Sequence, residues 1–98
     1  MDYTHLIDQL KQLSPQAIVL YGSQVKGIKH ADSDVDILII KETNDPFSKR
    51  ITDAHRMLRT NTPVDILVLT PVEFQKYKQN NSFYKSVFES GKVLYGRI

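Results

Sequence analysis

Apolar and polar positions along the chain fall into alternating helical and extended blocks. Leu6, Ile7, Leu10 and Leu13 recur at helical spacing, which predicts an amphipathic helix over residues 3–13. Ser14-Pro15 ends it. Ala17-Ile18-Val19-Leu20-Tyr21 is an apolar run of strand length. A turn into a short helical piece is expected from Gly22 to Gly27, then a polar loop over 28–33 and a second strand over 35–41. Asn44-Asp45-Pro46 reads as a helix start, with Asp45 as cap and Pro46 at the first position. Phe47, Ile51, Ala54 and Leu58 form one face of that helix. Pro63 stops regular helix, and a third strand follows over 64–69. Thr70-Pro71-Val72-Glu73 is a capping box with proline in the first turn. Its helix carries Phe74 and Tyr77 and breaks at Asn80-Asn81. Ser82 is the expected cap of a second piece ending at Ser90-Gly91, and residues 92–95 make a last short strand.

This alternation predicts an α/β or α+β fold, with a two-layer mixed sheet of about four strands and helices mainly on one face. The 22–33 connection is short for a parallel crossover, so the first two strands are expected to pair antiparallel.

Ninety-eight residues make one domain, 1–98, with no room for a second substrate domain. Thirteen basic against eleven acidic residues leave +2, too even to argue for a nucleic-acid surface. The absence of cysteine excludes a disulfide framework and thiol chemistry. Residues 1–5 carry no basic leader, and no run approaches the ~18 apolar residues of a membrane span. A cytoplasmic protein is expected.

The candidate chemistry lies in one spacing. Gly22-Ser23 closes the first strand, ten residues follow, and Asp34-Val35-Asp36 heads the second. Strand side chains alternate, so Asp34 and Asp36 point the same way, about 6.6 Å apart along the backbone. Two carboxylates that close repel unless a cation sits between them. Oxygen donors suit Mg²⁺, which takes one or two carboxylates plus substrate phosphates. Glycine admits close backbone approach to phosphate, and amides at a helix N-terminus favour anions. Asp65 is a third carboxylate, set within Val64-Asp65-Ile66-Leu67-Val68-Leu69, where aspartate is disfavoured without a partner or a task. If its strand lies beside that of Asp36, the three carboxylates, two metal ions and a nucleoside triphosphate make a two-metal phosphoryl-transfer site.

The remaining polar residues have plainer readings. Lys26 is either a phosphate contact or a solvated loop lysine; Lys29 and His30 read as loop residues. His5 and His55 have no partner at metal spacing and read as structural. Lys49, Arg50, Arg56 and Arg59 are expected on the solvated side of their helix. The aromatic residues Tyr77, Phe83, Tyr84, Phe88 and Tyr95 have spacing that suits packing better than base stacking. No G-x-x-x-x-G-K-[ST] or G-x-G-x-x-G motif is present.

Gly22-Ser23, Asp34-x-Asp36 and the later Asp65 resemble the signature of the DNA polymerase beta-type nucleotidyltransferase superfamily. Within it, the chain is similar to the minimal nucleotidyltransferase branch, small proteins often paired with a HEPN-domain protein. Tyr21-Gly22-Ser23, Ser33-Asp34-Val35-Asp36-Ile37, Val64 to Pro71 and the tail Glu89 to Tyr95 carry the resemblance. It implies a nucleotidyltransferase fold and an Mg²⁺-dependent transfer of AMP from ATP to an acceptor hydroxyl. Asp34, Asp36 and Asp65 would be the catalytic and metal ligands. Gly22, Ser23 and Lys26 would hold the phosphates. The implied acceptor is a HEPN-type partner, with this chain as its antitoxin. The family commonly carries arginine right after the serine and two residues further on; this chain has Gln24 and Lys26. Lys26 keeps a charge but not the bidentate fork. Two alternatives stay open: a binding module that neutralises its partner by contact, and the catalytic half of a split small-molecule nucleotidyltransferase.

Overall fold

A computed structural model describes residues 3–22, 35–60 and 63–98 of the protein. Its strands are β1 (Ala17–Tyr21), β2 (Val35–Ile40), β3 (Val64–Leu69) and β4 (Lys92–Gly96). Its helices are α1 (Thr4–Leu10), α2 (Phe47–Met57), α3 (Pro71–Asn80) and α4 (Ser82–Ser90). A 3₁₀ turn, Lys11–Leu13, extends α1, and Ser14 then turns left-handed (φ 56°) and ends it. The expected turn and loop over 22–33 lie almost wholly outside the described residues.

The strands form one mixed sheet in the order β3-β2-β1-β4. β1 pairs antiparallel with β2 and with β4, while β2 and β3 run parallel with α2 as their crossover. The four-stranded mixed sheet and the antiparallel β1–β2 pair follow the sequence pattern.

The helices, however, are shared between the two faces rather than gathered mainly on one. Leu10 of α1 and Ala54 of α2 pack with Ile18, Leu20, Val35, Ile37, Ile39, Ile66 and Val68. Phe74 of α3 and Val87 of α4 pack with Ala17, Val19, Leu38, Ile40 and Leu69 on the other side. The physical reason is in β1 and β2 themselves. Their apolar runs are continuous, not alternating, so both faces of the central strands must be covered.

Helix ends show two further differences. Pro46, not Asp45, occupies the N-cap of α2, and no side chain caps it. Asp45 serves through its backbone instead: its amide donates to Thr43 Oγ1 (3.0 Å) and its carbonyl accepts from Arg50 Nε (2.7 Å). Asn81, not Ser82, caps α4, its Oδ1 accepting from the amides of Phe83 (2.9 Å) and Tyr84 (3.4 Å). The capping box at Thr70 and Glu73 forms as expected, with both reciprocal bonds present.

Arg50 is not on a solvated face. Its side chain is only 9% exposed and meets Glu73 with both terminal nitrogens, at 2.7 and 3.4 Å. It lies three residues from Phe47 and four from Ala54, so helical geometry sets it beside the apolar stripe. Its guanidinium also covers the exposed Phe47 ring at 4.6 Å. Burial would raise the Glu73 pKa, but the Arg50 hydrogen bond and the Thr70 amide outweigh it and hold the carboxyl below its usual value.

Candidate active site

The parallel β2–β3 pairing sets Asp36 directly opposite Asp65. Neighbouring strands lie about 4.8 Å apart, and residues paired across a ladder share a face. The two carboxylates therefore stand side by side on the face that α3 and α4 cover, in line with Leu38 and Leu67. β1 brings Tyr21 opposite Asp36 on its other flank. Three neighbouring strands thus present Tyr21, Asp36 and Asp65 as one polar row. The row sits at the C-terminal end of β1 and the N-terminal ends of β2 and β3. Asp36 is half-buried and Asp65 exposed.

Tyr21 reports the electrostatics of that row. Its pKa is pushed up to about 12, first by burial and then by the charges of Asp36 and Asp65. A neutral phenol beside two carboxylates marks a region of concentrated negative potential. Tyr21 has no role legible from its local sequence, because its register against Asp36 is set by strand pairing. The one available signal was its place immediately before Gly22.

Gly22 follows with φ +79°, a left-handed conformation. A Cβ at this position would collide with Asp36 Oδ2. Two independent requirements therefore select glycine here: the backbone angle and the space taken by the carboxylate. The chain turns out of β1 while Asp36 keeps its position against the backbone.

The donor chemistry fits a hard divalent cation. Asp36 and Asp65 are oxygen donors on one face in direct register, the set that Mg²⁺ accepts alongside phosphate oxygens. Asp34, Ser23 and Lys26 lie outside the described residues, as does Gln24. Among the described residues no group of three or more His, Cys, Asp or Glu side chains is assembled. The structure thus brings together Gly22, Asp36 and Asp65 of the six residues singled out in the sequence.

The fold is that of a nucleotidyltransferase. The chain belongs to the Polymerase beta, Nucleotidyltransferase family, which matches it over residues 4–97. A "putative protein adenylyltransferase" of Methanocaldococcus jannaschii is 32% identical over 78 residues, spanning 80% of this chain and 76% of that protein. The fold also matches a crystal structure from Sulfolobus solfataricus described as a "putative nucleotidyltransferase". Its TM-score is 0.65 at 18% identity, over 94% of this chain and 78% of that one. A second crystal structure, of a toxin–antitoxin with AMP-PNP, aligns with TM-score 0.65 at 23% identity, over 99% of this chain and 75% of its own. Among the described residues no helix is long and apolar enough to cross a membrane.

Proposed function

We propose that the chain is a single-domain, cytoplasmic protein adenylyltransferase that moves AMP from ATP to a hydroxyl of a partner protein. The observation that carries the reading is the direct register of Asp36 and Asp65 beside Gly22. Two further facts support it: the adenylyltransferase description of the archaeal relative, and the nucleotide analogue in the toxin–antitoxin of like fold. A HEPN-type toxin is the proposed partner, and this chain is its antitoxin.

In this reading Asp34, Asp36 and Asp65 would hold two Mg²⁺ ions. When bound, such ions neutralise triphosphate charge and make the acceptor hydroxyl more acidic. The other parts belong to the chain. Gly22 and Ser23 offer backbone amides and a hydroxyl to the β- and γ-phosphates, and Lys26 adds a positive charge. Asp65, exposed at the mouth of the row, takes the acceptor proton. The acceptor oxygen forms a bond to the α-phosphorus, the bond to the β-phosphate oxygen breaks, and pyrophosphate leaves.

The test mixes the protein with its cognate partner, Mg²⁺ and ATP labelled in the α-phosphate. Label is expected on the partner with wild type and none with Asp36→Asn, which should still bind the partner. Full neutralisation of the partner by Asp36→Asn, with no transfer by wild type, would establish contact inhibition instead.

A further inference from the structure

We infer that Phe83, in the first turn of α4, is the stacking surface for the nucleobase of the donor triphosphate. The inference rests on the nucleotidyl-transfer reading and adds where the base lies.

Val87 shows what the apolar stripe of α4 ordinarily does. It is 4% exposed and packs against the middle of the sheet. Phe83 lies one helical turn earlier on the same side, yet it is 45% exposed. It meets Tyr21, the last residue of β1, with ring centroids 5.5 Å apart and planes at 86°. Tyr21 is the residue paired with Asp36, and its phenol feels both Asp36 and Asp65. Phe83 is therefore one aromatic ring away from the carboxylate row.

The ring is exposed but not loose. Tyr84 packs against it nearly perpendicular, at 5.0 Å and 76°, and Tyr84 is itself stacked on Tyr77 at 5.5 Å and 24°. Asn81 fixes the backbone below, accepting from the Phe83 amide. Both neighbours meet the ring nearly perpendicular, which fixes its orientation, and 45% of the residue stays open to solvent. A large apolar ring that is held in place, exposed and adjacent to a polar site suits a ligand with a flat aromatic part. With the triphosphate at Gly22, beside the carboxylate row, the sugar would cross Tyr21 and bring the base to Phe83. Base stacking on such a ring tolerates different bases, since every base has a π-face.

The protein has no tryptophan, so Phe83→Trp introduces a single fluorophore at the proposed contact. ATP with Mg²⁺ should quench it, and inorganic tripolyphosphate with Mg²⁺ should not. By calorimetry, Phe83→Leu should weaken ATP binding about 5- to 100-fold. Its tripolyphosphate affinity should stay at the wild-type value. Phe83→Trp should restore ATP binding to wild-type level or better. A fold defect would weaken both ligands equally and would count against the inference, because Phe83 would then act only in packing. Equal ATP affinity in wild type and Phe83→Leu, or quenching by tripolyphosphate alone, would also overturn it. The transfer reading would survive both of these results. Wild type that binds tripolyphosphate but no nucleoside triphosphate would overturn both.

Discussion

The two ends of the β2–β3 pair solve opposite electrostatic problems. At the far end, past the C-termini of the strands, opposite charges are matched. Arg50 reaches Glu73 in a forked pair, donates to the Val68 carbonyl at 3.3 Å, and Glu73 closes the capping box of α3. At the near end, like charges face each other, Asp36 against Asp65, with Tyr21 held neutral beside them. One end ties α2 and α3 to the sheet. The other gathers negative charge in a geometry that favours a cation. Like charges set in register by the sheet itself are a local arrangement that a functional site explains better than stability does.

Neutralising the two ends in turn should separate transfer from stability. Asp36→Asn removes one of two facing charges and almost no packing. Transfer to the partner should fall by about a thousandfold or more, because a group that organises transition-state charge is lost. The fold should survive, because the change removes little apolar surface. A drop in melting temperature with transfer intact would reverse the assignment of roles. Gly22→Ala tests the same end through the backbone. It places a methyl group where Asp36 Oδ2 lies and forces a non-glycine residue to φ +79°. Steady-state transfer should fall by orders of magnitude, with a stability cost of about 1–2 kcal/mol.

Arg50→Ala should give the opposite pattern. It leaves Glu73 partly buried without its forked partner, at a cost of about 2–4 kcal/mol in denaturant unfolding. Transfer per folded molecule should be unchanged, because the pair lies at the other end of the strands. The pH dependence carries the same sign. Glu73 has a depressed folded pKa, so its contribution is present above its ordinary pKa and is lost as pH falls through the folded value. Wild type should lose stability in acid below the ordinary Glu range, and Arg50→Ala should lose less there. Equal acid sensitivity would show that the pair contributes nothing.

Much of this contrast was legible in the sequence, for reasons that differ between residues. The strands were readable because Ile37 to Ile40 and Val64 to Leu69 are short, β-branched-rich runs bounded by punctuating residues. Asp65 stood out because a carboxylate inside such a run demands an explanation. Local chemistry likewise fixed the capping box at Thr70 and Glu73. What failed depended on contacts distant in sequence. Arg50 looked solvated because its partner Glu73 is 23 positions away. The coverage of both sheet faces was present in the unbroken apolar runs, but an alternating helix–strand pattern does not say which side each helix takes. Tyr21 and Phe83 gain their place only through the β1–β2 register and the return of α4 across the end of β1.

The smallest effect expected is on the titration of Tyr21. Burial and two nearby carboxylates raise its pKa to about 12, against an ordinary tyrosine near 10. The folded protein then keeps a proton that the unfolded chain releases. Where the native state binds more protons, stability falls as pH rises. The contribution is therefore full below pH about 10 and is lost as pH climbs towards 12. Ultraviolet absorbance should show a phenol step delayed beyond the ordinary tyrosine range. Tyr21→Phe should remove that late step. Asp36→Asn should bring it earlier without abolishing it, since burial remains the larger cause. Saturating Ca²⁺, a hard cation that stays dissolved at this pH where Mg²⁺ precipitates as hydroxide, should also bring it earlier in wild type, because a cation held by the carboxylates offsets their field at the phenol. The calcium shift should shrink in Asp36→Asn. An identical shift in both proteins would mean that the ion binds elsewhere, and the carboxylate row would then be a charge cluster without its cation.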